Sequence, residues 1–189
     1  MSKKNFGPQL FIYPMPTVIV GSLVDGKPNF NAIAYCGVAQ SKPPMLAVSM
    51  DKKRYTHRGI VENKSFSVNI PSQDMLGITD YVGTVSGHQI DKSHLFSVFY
   101  GALSTAPMVQ ECPIAIECSL VEIMDFNGKN DLFIGKIVDT YVDQEYLDEK
   151  GPDLQKIKPI AYSWHDHAYW SIGTFMGKVS EVSRGKYQK

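Results

Sequence analysis

The sequence predicts a mainly β protein, a small antiparallel barrel with a few short helices. Three features carry that expectation: short runs of β-branched residues, tight-turn dipeptides between them, and only two or three stretches with helical start signals. The chain of 189 residues is long enough for one domain with a full hydrophobic core. No internal repeat, low-complexity tract or shift in composition divides it.

Residues 17–24 are a strand by their β-branched content, Asp25-Gly26 is a strong hairpin turn after it, and 31–38 is the returning strand. Pro43 and Pro44 delay the start of a short buried strand at 45–50. Thr56 stands where it caps a helix that continues to residue 63. Residues 65–70 alternate polar and apolar, which reads as a half-buried strand, and Pro71 stops it. Ser72 looks like an N-cap, with Asp74 in the first turn, opening a helix over 73–82. From 83 to 103 the chain is rich in Ser, Gly and His and weakly periodic, which suggests an ordered loop with a functional or lid role. Residues 112–126 and 131–142 are long strands joined through Asn127-Gly128, the best hairpin signal in the chain. Along the first, the alternation of Ile114, Ile116, Cys118 and Leu120 slips phase at Val121, predicting a bulge or bend. Residues 146–154 read as a charged helix or turn, and a short strand and an extended aromatic tail follow.

Basic and acidic residues balance at 19 each, which argues against a nucleic-acid binder. No apolar run approaches the ~20 residues needed to span a bilayer, and the polar opening Met-Ser-Lys-Lys-Asn lacks a signal-peptide pattern, so the expected location is the cytoplasm. Cys36, Cys112 and Cys118 form no Cys-x-x-Cys and no zinc-finger spacing with His, so reduced, mostly buried thiols are expected. The sequon Asn63-Lys64-Ser65 reads as a chance match in that setting.

The most informative stretch runs from Pro43 to Arg58. An apolar strand leads straight into Lys52-Lys53-Arg54-Tyr55-Thr56-His57-Arg58 and then a helix. That order can hold a phosphate, because helix-start N–H groups and the helix dipole favour an anion and Lys or Arg adds charge-assisted hydrogen bonds. A solvated basic loop is the plain alternative. No Gly-x-Gly-x-x-Gly and no P-loop pattern occurs, so such a phosphate would be gripped by side chains and a helix start.

Other groups of residues are less decisive. The run Asn31-Ala32-Ile33-Ala34-Tyr35-Cys36-Gly37 carries small side chains that let backbone approach a flat ligand, or that merely fit a tight barrel interior. Lys92, within the polar loop 86–94, is either a second cation for a ligand or a solvated lysine. His165-Asp166-His167 on an extended segment would put both imidazoles on one face, but no third ligand completes a metal site and none is expected. Trp164, Tyr169, Trp170 and Phe175 either pack in a core or interface, or stack on a planar cofactor. There is no Gly-x-Ser-x-Gly nucleophile and no paired carboxylates at helical spacing in the candidate segments. An anion cradle without acid–base machinery fits a protein whose ligand does the chemistry.

These motifs, taken in order, resemble the flavin reductase-like, FMN-binding split-barrel proteins, and within them the flavoredoxin branch. The resemblance rests on Pro14-x-Pro16, Asn31-Ala32, Pro43-Pro44 before Val48-Ser49-Met50, Lys53-Arg54-x-Thr56, Phe66-x-Val68-Asn69-Ile70-Pro71, and Ser86-Gly87 with Asp91-Lys92. The tail aligns more loosely, at Tyr162, Tyr169 and Gly173. It implies a homodimer of antiparallel split β-barrels with FMN held non-covalently at the dimer interface. On that resemblance Asn31 and Ala32 contact the isoalloxazine edge, and Ser49 lies beside the ribityl chain or phosphate. Lys53, Arg54 and Thr56 hold the phosphate, His57 joins that cradle or points away, and Lys92 approaches the phosphate or ring from its loop. Family members vary at this turn, which leaves open whether Lys52, Lys53 or both touch the phosphate. The implied activity is hydride transfer from NADH or NADPH to the flavin, and onward to a second flavin or a ferric complex. The alternative is a flavoredoxin-type carrier that passes electrons between redox proteins without oxidising nicotinamide itself.

Overall fold

Runs of β-branched residues set the main sheet of the computed structural model, which describes residues 2–183. In chain order the first elements are β1 (Met15–Pro16), β2 (Val18–Val24), β3 (Lys27–Ile33), β4 (Cys36–Ser41), β5 (Pro44–Asp51), α1 (Tyr55–Asn63), β6 (Ser65–Ile70) and α2 (Leu76–Thr84). Then come β7 (Val98–Phe99), β8 (Met108–Val109), β9 (Ile114–Asp125), β10 (Asn130–Val142), β11 (Leu147–Asp148), β12 (Gly151–Pro152), α3 (Leu154–Ile157), β13 (Ile160–Ser163) and β14 (Ala168–Ser171).

Seven strands pair antiparallel in the order β3-β2-β6-β9-β10-β5-β4, and the sheet is rolled as a split barrel with β3 and β4 as its two edges. A second sheet, β1-β13-β14, joins the two ends of the chain, and β7–β8 and β11–β12 are short ribbons. The inward residues Val18, Val20, Leu46, Val48 and Met50 close around Phe66, Val68 and Phe133. Ile19 points the other way, into a second cluster with Phe30, Val82 and Phe96. β2 is therefore covered on both faces, which suits the apolar run Val18-Ile19-Val20 with which it opens. Phe66 and Phe133 are fully buried, and burying each contributes about 2–3 kcal/mol. Among the described residues no helix is long and apolar enough to cross a membrane.

The predicted bulge is present: Ile134 pairs with Glu122 and Gly135 with Leu120, leaving Val121 unpaired. Gly135 is required beside it, because a Cβ there would lie 2.4 Å from Phe66 Cζ. The hairpin at Asn127-Gly128 also forms, with Asn127 in the left-handed region at φ 57°.

Four expectations are corrected. The returning strand at 31–38 is two strands, since the chain turns sharply where Cys36 N donates to Ala34 O (3.0 Å) and passes from one sheet edge to the other. Thr56 does not cap α1. The N-cap residue is Arg54, and with its amide oxygen turned to the helix, Asn29 accepts Thr56 Oγ1 (2.7 Å) and Thr56 N (3.3 Å). The second helix begins as a short 3-10 turn at Gln73–Met75 before α2, and the Ser72 hydroxyl makes no cap bond. The aromatic tail is a hairpin, β13–β14, not an extended segment. His165 and His167 both lie in its turn and part company there. His165 packs edge-on against Phe11 (5.4 Å) and His167 Nδ1 bonds the Tyr162 hydroxyl (2.7 Å).

The loop after α2 is ordered by a buried carboxylate. Glu117, on β9, accepts Ala102 N (2.9 Å) and Leu103 N (2.8 Å) and pins the loop to the barrel. All three cysteines are free thiols, with Cys112 and Cys118 buried and Cys36 half-buried. Burial pushes Cys36 up to about 11 and Cys118 up to about 12.

Candidate functional site

A cleft of about 500 Å3 opens where the end of β3, the end of β5, the start of α1, the last turn of α2 and the β13–β14 hairpin meet. That volume lies within the usual range for small-molecule sites, about 300–1,000 Å3. Asn31, Ala32 and Ile33 line it from β3, Ser49 to Asp51 from β5, and Arg54 from the helix start. From α2 come Asp80, Gly83 and Thr84, which share one helix face because they are spaced i, i+3, i+4.

Two polar atoms lining the cleft have no partner. Asn31 Oδ1 and Thr17 Oγ1 are buried and unbonded, two of only four such side-chain atoms among the described residues. A buried polar atom left unpaired costs about 1–3 kcal/mol, so Asn31 and Thr17 are the wall residues with hydrogen-bonding capacity to spare. Beside them Ala32 and Ala34 keep the wall low and flat.

The electrostatics centre on the last turn of α2, whose carbonyls carry the negative end of the helix dipole. Arg54 Nη1 donates to Gly83 O (3.1 Å), which leaves its other N–H groups for a ligand. Lys92 is 3% exposed, and its ammonium donates to Val82 O (2.8 Å) and Phe30 O (2.9 Å). These carbonyls immediately precede Gly83 and Asn31, so Lys92 ties the two walls together from behind. Burial pushes the Lys92 pKa down to about 8, with the nearby Arg54 charge acting in the same direction.

The structure therefore gathers Asn31, Ala32, Ser49 and Arg54 in one cleft, with Ser49 Oγ accepting Asn130 Nδ2 (3.2 Å). Lys53 lies exposed on the adjoining turn, its backbone N donating to Asp51 Oδ1 (2.9 Å). Thr56, His57 and Lys92 do not line the cleft. Thr56 is buried against Asn29, and His57 Nε2 bonds Asp131 Oδ2 (2.7 Å) while its ring packs on Phe133. Sequence reasoning passed over Thr17, Asp80 and Asn130 altogether. Trp164 and Tyr169, offered from sequence as core aromatics or as stacking on a planar ligand, and Tyr162, named only as an aligned tail position, form the hairpin side of the cleft with His167. Tyr169 Oη donates to Asp80 Oδ1 (3.0 Å), and burial, then that bond, pushes the phenol up to about 12.

Comparison with known proteins decides the family. Residues 10–173 match the model of the flavin reductase like domain. The chain belongs to that family. A flavoredoxin from Methanosarcina acetivorans superposes with a TM-score of 0.93 at 41% identity, covering 97% of this chain and 98% of its own. A flavoredoxin of Desulfovibrio vulgaris (Miyazaki F) does so at 0.89 and 35% identity, over 97% and 100%. An FMN-binding protein from Thermus thermophilus with bound 1-cyclohex-2-enone follows at 0.78 and 27%, over 94% and 99%. A second crystal of a Thermus FMN-binding protein holds p-hydroxybenzaldehyde. The split barrel with flavoredoxin-like neighbours is thus a property of the whole flavin reductase like domain in this chain, and not of a local motif.

Proposed function

We propose that the cleft binds FMN and that the protein is an NAD(P)H-dependent reductase of free flavin or a ferric complex, acting in the cytoplasm. The observation that carries this is the meeting, in one cleft, of the unpartnered Asn31 Oδ1 and Thr17 Oγ1 with Arg54 at a helix start. Those groups fit a ligand with a flat polar-edged ring and an anionic tail. Asn31 and Thr17 would bond the ring edge, Ala32 would let it approach the backbone, and Ser49 would take the sugar-alcohol chain. Arg54, with Lys53 from the exposed turn, would hold the phosphate, while Thr56, His57 and Lys92 would hold the surrounding backbone in place. Bound FMN supplies reversible one- and two-electron redox chemistry. The chain would position it between the β3–β5 side of the cleft and the hairpin side that carries Tyr162 and Tyr169. NADH or NADPH is the proposed donor. A homodimer is proposed as well, supported by exposed apolar side chains near both chain ends, among them Ile12, Trp170 and Phe175.

The two flavoredoxin neighbours favour a second reading, in which bound FMN passes electrons between redox proteins and nicotinamide is not oxidised directly. A visible spectrum of the purified protein, repeated after anaerobic addition of NADH and NADPH, separates the two. Flavin bands that bleach support the reductase, and bands that persist until a reduced protein partner is added support the carrier. A protein that stays colourless after reconstitution with FMN overturns both.

A further inference from the structure

The last hairpin has two faces. Tyr162 and Tyr169 are directly opposed in the β13–β14 register and line the cleft, while their neighbours Ala161 and Trp170, also opposed, stand on the other side. There Ala161 and Trp170, with Tyr13 and Pro14 from the start of the chain, line an apolar pocket of about 340 Å3. That is small-ligand size, room for one or two side chains. The polar groups at its edge are already used. Trp170 Nε1 donates to Ser163 Oγ (2.8 Å), and Ser163 Oγ donates to the Asp166 carboxylate. The N-terminal segment is engaged there too, since Phe11 packs edge-on against His165 (5.4 Å) and His165 N donates to Tyr13 Oη (3.3 Å). What is left is a hydrophobic hole.

The same chain carries side chains that match it. After β14, residues 172–177 run as an extended strap, and Lys178 O then accepts Glu181 N (3.2 Å) and Val182 N (3.3 Å) to close a turn. Phe175 is 72% exposed, Met176 93% and Val179 96%. Among the described residues no hydrogen bond joins 172–183 to the rest of the chain. Scattered apolar side chains on a surface are ordinary, but three nearly bare ones on an unbonded strap mark a segment that is covered by something else. The strap does not enter the pocket of its own hairpin, for none of its residues lines it. Charge matches as well. Asp166 stands at the pocket and Lys178 follows the strap, and neither takes part in an ion pair among the described residues.

We infer that the strap of one protomer seats its Phe175 and Met176 in the apolar pocket of a second copy of the chain, with Lys178 meeting Asp166 across the contact. The exchange is reciprocal, because in a two-fold dimer each chain offers one pocket and one strap. This rests on the homodimer proposed above and adds to it the segment that forms the contact. The pocket is the outer face of the strand pair whose inner face lines the cleft, so each protomer's strap backs the cleft wall of the other.

Asp166→Cys and Lys178→Cys, placed together in one full-length chain incubated with FMN, test the contact and leave the pocket and the apolar side chains of the strap intact. The native thiols are buried or half-buried, and the wild type serves as the control. Mild oxidation is expected to join two chains by a disulfide, seen as a two-chain band on a non-reducing gel and absent from the wild type. Sedimentation equilibrium supplies a second measurement. Phe175→Ser with Met176→Ser should weaken the dimer at least roughly tenfold. Its circular dichroism spectrum should match the wild type, since both side chains are bare in the single chain. A wild type that sediments as a monomer at every concentration overturns the homodimer and this contact with it. A dimer whose two new cysteines stay free, or join within one chain, overturns the strap exchange alone, as does a dimer whose affinity survives the serine pair.

Discussion

Replacing Arg54 by Ala tests the phosphate assignment most directly. Its guanidinium lines the cleft and spends one N–H on Gly83 O at 3.1 Å. A phosphate takes two parallel bonds from such a group, each worth about 1.5–3 kcal/mol when charge-assisted. The cleft is open to solvent, so the low end applies, about 3 kcal/mol in all, or roughly 100-fold in Kd. The cofactor-free fold loses only the bond to Gly83, about 1 kcal/mol, which for a chain of this size lowers Tm by about 2–4 °C. Quenching of flavin fluorescence gives the affinity, and riboflavin, which lacks the phosphate, is the control. Arg54→Ala should weaken FMN about 100-fold and leave riboflavin within about 2-fold. Equal weakening of both flavins would mean that Arg54 shapes the wall and does not hold the phosphate, and unchanged FMN binding would mean it does neither.

Four further outcomes follow from the same structure. Lys92→Met should leave Phe30 O and Val82 O unpaired in the interior and lower stability by about 2 kcal/mol, read by urea unfolding; a midpoint equal to wild type would show the staple is dispensable. The sign of its pH dependence is fixed by the lowered pKa. Between about 8 and the ordinary 10.5 the unfolded chain holds the proton that the folded one has released, so the wild type gains stability over Lys92→Met as pH rises through that window; a flat difference would refute the shift. Gly59→Ala gains about 1 kcal/mol of helix propensity but sets its Cβ 2.3 Å from Leu23 O, a clash with backbone. Calorimetry should therefore show a net loss of about 1–3 kcal/mol, and a raised Tm would contradict it. The folded protein should react slowly with a thiol reagent at pH 8 and expose all three cysteines on denaturation, because burial raises each thiol; a fast native phase would place one thiol at the surface.

Most strands were legible because their cause is local. The β-branched run of β2 states its pairing in a few residues, and Val121 marked the bulge by a slip of phase; the alternation of β6 gave the strand but not its surroundings, because its polar residues Ser65, Ser67 and Asn69 are buried too and the strand is not half-exposed. The basic turn was legible as a charge cluster, but charge along a sequence does not say where each side chain points. His57 turns to Asp131, 74 residues away, and only Arg54 of the cluster lines the cleft. The split of the predicted strand at 31–38 left no sign because Ala34 and Tyr35 are not turn residues. The last hairpin was hidden for a related reason. Its turn, Trp164 to His167, has no Gly, Pro or Asn, and its one left-handed residue is a histidine. Thr17 and Asp80 acquire their roles only through the strand and helix packing that brings them to the same opening.

The pairing of β1 with β13 sets a schedule for assembly. Met15 lies opposite Tyr162, and Thr17 N donates to Ile160 O (3.0 Å), so the first strand of the protein waits for nearly the last. Arg54, Asn31 and Ser49 leave the ribosome early, yet the wall holding Tyr162, His167 and Tyr169 against them cannot form until residue 169 has emerged. Contacts this distant in sequence are slow to find. Until the last hairpin docks, the cleft has only the wall built by Asn31, Ser49 and Arg54, so a ligand that needs both sides waits for β1 to find β13.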